Sequence, residues 1–327
     1  MDLLERSYVY GSSPLPSQIS ATRYRVPLFG GSISKSLSPM LHSIFFRANS
    51  VPWTFHLTET TDGAIFQNQL NAEDCIGTTI TMPNKVTFRS LLDDLTEEAR
   101  VIGAVNTSFV RLGKDGKRKH IGTNTDCVGI RDAILYQMPQ GPIMAKGRPS
   151  MVIGGGGAAR SAIFALWKWF GSTEIYIANR IKSEVDALIE FFKSTAPDIR
   201  LRHIATVGAA AALETPYLVI GTIPNTVPRE PGEILCRQIC DTILHKGDKG
   251  IVVDMCYLPS PVTWLYTSGK DNGWTVVSGT EVLVRVCIAQ QILWVEKDVN
   301  EQGVEKAMSA IKKVVSQDQT GPKASKI

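Results

Sequence analysis

The chain lacks most of what would tie it to a membrane, a metal or a nucleic acid. No stretch approaches the ~18–20 apolar residues that a bilayer span needs. The opening residues, MDLLERSYVYGSS, carry charges and no apolar core, so no secretory leader is expected. The six cysteines, at 75, 127, 236, 240, 256 and 287, contain no Cys-x-x-Cys pair, and the histidines do not cluster with them. A zinc site is therefore not expected; buried thiols in a reducing compartment are the simpler reading. Cys236 and Cys240 would share one face if their stretch is helical. The net charge is only +4, and Lys and Arg are scattered rather than striped, which leaves no footprint for nucleic acid. That mild basicity suits an anionic substrate or a phosphate-bearing cofactor. With 43% hydrophobic and 20% charged residues, the composition excludes disorder and fibres. A soluble, cytoplasmic monomer or homodimer is expected. The C-terminus leaves the peroxisome open: the final Ser325-Lys326-Ile327 is one residue from the Ser-Lys-Leu address.

What is present is alternation. The 327 residues suit about two domains. Residues 1–24 are Ser/Pro-rich with little period and read as an arm. From Arg25, strand-like and helix-like stretches alternate, which predicts a mostly parallel sheet covered by helices. The first domain is expected over 25–136. A Pro/Gly-rich break, QMPQGPIMAKGRPS, ends it. A second α/β domain is expected over 137–279. From Gly279, TEVLVRVCIAQQILWVEKDV reads as a long amphipathic helix that returns residues 280–318 to the first domain, with 319–327 as a tail.

The stretch VIGGGGAAR places Gly154, Gly155, Gly156, Gly157 and Ala158 between an apolar strand and a helix. A G-x-G-x-x-A turn in that context is the dinucleotide fingerprint of a Rossmann domain: a tight turn, close backbone approach to a pyrophosphate, and helix amides facing the anion. A merely flexible turn is the alternative. At the end of the next strand, about 20 residues on, NAD sites carry Asp or Glu. Here Asn179 and Arg180 stand there. Arg180, helped by Lys182, could pair a 2′-phosphate, while nearby Glu184 would repel one. The choice between NADP and NAD stays open, with a lean to NADP.

In the first domain, polar clusters follow the strands: Ser36 and Ser38; Thr79, Thr81 and Lys85; Asn106 and Thr107; Asn124 and Asp126. In a parallel sheet, the C-terminal strand ends share one edge, where ligands bind. Hydroxyls, amides, one Lys and one Asp would then converge on a small polyol. Singly, each residue is explained as a cap or turn former.

Together these residues resemble the shikimate and quinate dehydrogenases. The likeness rests on Ser36-Leu37-Ser38-Pro39, Thr81-Met82-Pro83-Asn84-Lys85, Gly103-Ala104-Val105-Asn106-Thr107 and Asn124-Thr125-Asp126. It continues through GGGGAAR, Asn179-Arg180, DMCYLP at 254–259 and GTEVLV at 279–284, covering about residues 25–297. The Thr-Met-Pro variant and the length look most like the fungal quinate-type branch. The resemblance implies NAD(P)-dependent, reversible oxidation of a ring hydroxyl of quinate or shikimate to 3-dehydroquinate or 3-dehydroshikimate. It implies Lys85 as general acid/base with Asp126 as its partner. Ser36 and Ser38 would hold the ring carboxylate. Thr79, Thr81, Asn106 and Asp126 would meet ring hydroxyls, and Tyr257 would border substrate and nicotinamide. Thr222 and Gly279 would lie by the cofactor.

This chain also departs from the family pattern. Val286 stands where the late helix usually carries Gln, Thr79 where Asn is common, and Asn84 where fungal relatives often have His. Gly221-Thr222-Ile223-Pro224 replaces the usual NATxxG loop. A pocket that has lost an amide suits a less hydroxylated ring. Two alternatives arise from these departures: a dehydrogenase of an amino- or deoxy-shikimate analogue, and a ligand sensor without catalysis.

Overall fold

The computed structural model describes residues 3–320, so Ser325-Lys326-Ile327 lies outside the described residues. The chain is a two-domain α/β protein that divides into two compact units, Met1–Gly129 with Val284–Met308, and Ile130–Leu283 with Ser309–Ile327. The first division falls inside the helix Thr125–Gln137 rather than after it. Among the described residues, no helix is long and apolar enough to cross a membrane.

The first unit holds six strands: β1 (Arg25–Gly30), β2 (Thr54–Glu59), β3 (Gly77–Ile80), β4 (Asp94–Leu95), β5 (Thr107–Leu112) and β6 (Arg118–Thr123). Their order is β2-β1-β3-β5-β6-β4. β1 runs parallel to β2 and β3, while β5 is antiparallel to both β3 and β6. This reversal puts the start of β5 at the same edge as the ends of β1, β3 and β6. The strand Gly77–Ile80 is buried at every position, so its threonines face packed surroundings on both sides. One apolar cluster in this unit centres on Phe29, Phe66 and Phe88, a second on Phe46, Trp53, Phe109 and Trp294.

Residues 3–24 are not a free arm. Leu3–Ser7 is helical, Ser12 bridges to Leu112, and Leu3, Tyr10, Leu15, Ile19 and Tyr24 pack on the second cluster. The physical reason is Arg111, which is 1% exposed. Its guanidinium donates to Ser7 Oγ at 2.5 Å, lies 4.9 Å from the Tyr8 ring centroid and pairs with Glu296 at 3.0 Å. A buried cation needs such partners, and the N-terminal segment supplies two of them.

The second unit is an all-parallel sheet of β7 (Ser150–Ile153), β8 (Ile175–Ala178), β9 (Leu201–His203), β10 (Leu218–Gly221), β11 (Ile251–Asp254) and β12 (Thr275–Val277). The order β12-β11-β10-β7-β8-β9 is the doubly wound Rossmann order. The strand order reverses at β7, between β8 and β10. Cys236 and Cys240 sit on the helix Pro231–Leu244 and are both buried in this unit's core.

The late helix runs Gly279–Val295, but it is not amphipathic. No residue along it is exposed. Within the first unit, Trp294 anchors it by donating from Nε1 to Ser108 O at 2.8 Å. A Cβ on Gly77 would fall 2.3 Å from that indole nitrogen, so the glycine makes room for the ring.

Candidate active site

At the shared edge of the first sheet, Lys85 Nζ donates to Asp126 Oδ2 at 2.5 Å. Lys85 follows the turn after β3, where the Met82–Pro83 peptide is cis. Asp126 lies in the first turn of the helix Thr125–Gln137, where the helix dipole favours a carboxylate. The side chains are 16% and 9% exposed, so the pair is largely withdrawn from water yet still reachable. The other carboxylate oxygen, Oδ1, accepts from Asn106 Nδ2 at 2.8 Å. Asn106 does not follow a strand, as the polar clusters were expected to do. It immediately precedes β5, and the antiparallel reversal brings it to the same edge.

The remaining first-unit candidates fall around this edge in different states. Ser38 opens the helix Ser38–Ala48 and is buried; Ser36 is half-buried, and its Oγ accepts from Ser38 N at 3.3 Å. Thr81, just past β3, is half-buried. Thr79 is buried, and its hydroxyl has no hydrogen-bond partner. A buried unpaired hydroxyl carries a desolvation cost, which a polar ligand would relieve. Asn84 is spent locally, donating from Nδ2 to Thr60 O at 2.8 Å. Val286 is a buried apolar side chain on the late helix.

In the second unit, the glycine turn follows β7 at the switch point. Gly154 has φ +124°, and a Cβ there would lie 2.3 Å from Thr222 Oγ1. Thr222 thus shapes the turn, donating to Ile153 O at 2.8 Å. Gly156 caps the helix Gly157–Lys168 without a side-chain bond, and a Cβ on it would meet nothing within 4 Å. Ala158 stands in that helix's first turn. Uncapped amides beside open space fit a pyrophosphate. The far side of the turn is acidic. Asn179 Nδ2 donates to Glu184 Oε2 at 2.7 Å, and a Cβ on Gly155 would lie 3.2 Å from that same oxygen. The two cations are engaged elsewhere: Arg180 with Glu233, and Lys182 with Asp186 at 2.6 Å. Gly279 packs against backbone, its would-be Cβ 2.6 Å from Cys256 O. Tyr257 rides the loop after β11. Asp254 pins that loop by accepting from Thr263 Oγ1 at 2.5 Å and Cys256 N at 3.0 Å, and burial raises its carboxyl to about 6.

Residues 28–108 match the shikimate dehydrogenase substrate binding domain. Quinate dehydrogenase of Emericella nidulans is 38% identical over 308 residues, which span 89% of this chain and 94% of that protein. The chain belongs to the shikimate and quinate dehydrogenase family. As a member, it is an NAD(P)-dependent oxidoreductase. Among solved structures, the dehydroquinate dehydratase and shikimate dehydrogenase of S. pombe superposes with a TM-score of 0.70 at 29% identity. That match covers 88% of this chain and only 53% of the S. pombe chain. Quinate dehydrogenase of Corynebacterium glutamicum, solved with NAD, gives a TM-score of 0.71 at 19% identity, covering 88% and 99% of the two chains. At that identity the likeness is one of fold.

Several residues around this family site escape a sequence reading. His42, on the helix Ser38–Ala48, is fully buried and stacks on Phe55 at 4.3 Å. Its Nε2 bonds Gln290 Oε1 at 3.0 Å, and its Nδ1 accepts from Gln291 Nε2 at 2.9 Å. Gln290 Nε2 in turn donates to Thr107 Oγ1 at 2.8 Å. Burial lowers the His42 imidazole to about 3 and keeps it neutral. The sequence does hold a signal: one His in the run SPMLHSIFF and two Gln in VCIAQQILWV are polar residues inside apolar helices. Among the described residues, no group of three His, Cys, Asp or Glu could hold a metal.

Proposed function

We propose that the chain oxidises a ring hydroxyl of a cyclic hydroxy acid, with quinate first and shikimate second, and that Lys85 and Asp126 form the acid/base pair. The observation that carries this reading is the 2.5 Å Lys85–Asp126 bond at the sheet edge. Bound NAD(P) supplies the hydride acceptor. The chain's own residues handle the proton and the binding. As the carbon-bound hydrogen leaves as hydride, the hydroxyl proton must go to a base within hydrogen-bond reach. Lys85 Nζ takes it, and Asp126 compensates the ammonium charge. In the reverse direction the same ammonium protonates the forming alkoxide. Ser36 and Ser38 bind the ring carboxylate, while Thr79, Thr81 and Asn106 bind hydroxyls. The unpaired Thr79 hydroxyl supports that assignment. Gly154 to Ala158 cradle the pyrophosphate with Gly279 nearby.

Among the two cofactors, NAD is the better fit. Glu184 places a carboxylate beside Gly155, where it would accept from ribose hydroxyls and repel a 2′-phosphate. Arg180 and Lys182 already hold carboxylates. The proposal therefore leans to NAD, where Arg180 in the sequence leans to NADP. A second reading, a less hydroxylated analogue of these acids, is favoured by Val286, which puts a buried apolar surface where the family usually has an amide. Steady-state rates with quinate and shikimate, each with NAD and NADP, test the proposal. Reduction of NAD by quinate above the other three pairings is expected. No reduction in any pairing, with ligand binding retained, would favour the sensor.

A further inference from the structure

The buried polar residues behind Asp126 have a direction that can be worked outwards from the carboxylate. Asp126 Oδ1 can only accept, so Asn106 must present Nδ2 to it and turn Oδ1 away. That Oδ1 then accepts from Thr125 N at 2.7 Å, Thr107 Oγ1 at 3.0 Å and Thr125 Oγ1 at 3.1 Å. The two hydroxyls also touch each other at 2.9 Å, so the Thr107 proton serves Asn106 Oδ1 directly or the Thr125 hydroxyl that donates to it. Thr107 Oγ1, with its proton committed, must accept, and it accepts from Gln290 Nε2. Gln290 Oε1 is thereby left as an acceptor, which requires the proton of His42 on Nε2. His42 Nδ1 accepts from Gln291. Asn106, Thr107, Thr125, Gln290, Gln291 and His42 are all at most 2% exposed, so bulk solvent does not reach any member.

We infer that Thr107, Gln290 and His42 are positioning residues for the Lys85–Asp126 pair: one buried hydrogen-bond chain of a single direction keeps the Asn106 amide on Asp126 Oδ1 and leaves Oδ2 to Lys85. The inference rests on the dehydrogenase reading for its effect on turnover, but not for the direction of the chain. The opposite direction has a distinct signature. A proton on His42 Nδ1 would turn both glutamines over, and Thr107 would donate to Gln290 instead of towards Asn106. Gln291 Oε1 is buried without a partner in the observed arrangement. The chain thus runs in the direction that serves Asp126 although the far end bears an unpaired acceptor.

The test uses the full chain with quinate and NAD as probes. Thr107→Val removes the hydroxyl at nearly constant shape. It should lower kcat about tenfold, the lower end of what losing an outer-shell partner costs a metal-ligand set, and leave KM for NAD in place. Thr107→Ser should recover most of that loss, and Gln290→Leu should show the same kcat-only pattern as Thr107→Val. A Thr107→Val protein that melts earlier but keeps wild-type kcat overturns the inference. A second readout needs no variant: the imidazole nitrogen spectrum of wild-type protein should show His42 neutral with its proton on Nε2. A proton on Nδ1 instead overturns the direction, and with it the proposal. Wild-type inactivity with every acid counts against the dehydrogenase reading, and the imidazole spectrum still decides the chain.

Discussion

Under the proposed function, the polar edge of the first unit and the glycine turn of the second would recognise their ligands by different means. At that polar edge, side chains would do the work, with buried hydrogen bonds behind them. Lys85 meets Asp126, Asp126 meets Asn106, and a chain runs back to His42, 64 residues before Asn106 in sequence. At the glycine turn, the backbone would do it. Side chains there shape the turn, as Thr222 does, or pair with one another at the surface, as Arg180 and Glu233 do. A side-chain site should fail when a side chain is removed. A backbone site should fail when a side chain is added.

The largest effect expected from this contrast is on turnover. Lys85→Ala should lower kcat by about 10²–10⁴-fold, the range for loss of a general acid/base, with the melting temperature kept. Gly154→Ala should come next. Alanine at φ +124° with Thr222 Oγ1 at 2.3 Å is strained, at about 1–3 kcal/mol. Denaturant unfolding should show that loss, together with a raised KM for NAD. Gly156→Ala sharpens the contrast: its Cβ enters open space, so stability should hold while KM for NAD rises.

A smaller effect is expected from pH. His42 falls from an ordinary 6.5 to about 3 in the folded protein. Between those values the unfolded chain binds the extra proton, so stability is fully present above pH 6.5 and drains away as pH falls. The slope from one such group is at most about 1.4 kcal/mol per pH unit. His42→Leu unpairs Gln290 Oε1 and should be less stable than wild type at neutral pH. That deficit should shrink on acidification, as denaturant titrations from pH 7 to about 4 would show. Smallest is the cofactor effect at the exposed Glu184. Glu184→Gln should move the ratio of kcat/KM for NAD over NADP towards NADP by about twofold to fivefold, as one partly screened charge allows.

The same contrast explains what could be read from the sequence. The glycine turn was legible because its determinants are consecutive: Gly154 to Ala158 sit between one strand and one helix. Lys85 and Asp126 were legible as motif residues. Their support was not, because Gln290 and Thr107 lie 183 positions apart and meet only through packing of the late helix on β5. The N-terminal arm failed for a similar reason. Nothing local in MDLLERSYVYGSS announces that Ser7 and Tyr8 are partners of Arg111. The late helix was expected to show a polar face, but its Gln residues are buried in the chain that starts from His42. The partner of Arg180 was not legible either: it is a cation in the sequence and half of an ion pair in the fold.

Hydride transfer from a ring carbinol, with Lys85 taking the proton, is the step on which the proposed function stands. It can be followed with quinate deuterated at the carbon that becomes the ketone, incubated with NAD and either wild-type protein or Lys85→Ala. Deuterium should appear on the reduced nicotinamide with wild type, and almost none with the variant over the same time. Deuterium transfer at equal rates by both proteins, or none by wild type with any cofactor, would contradict it.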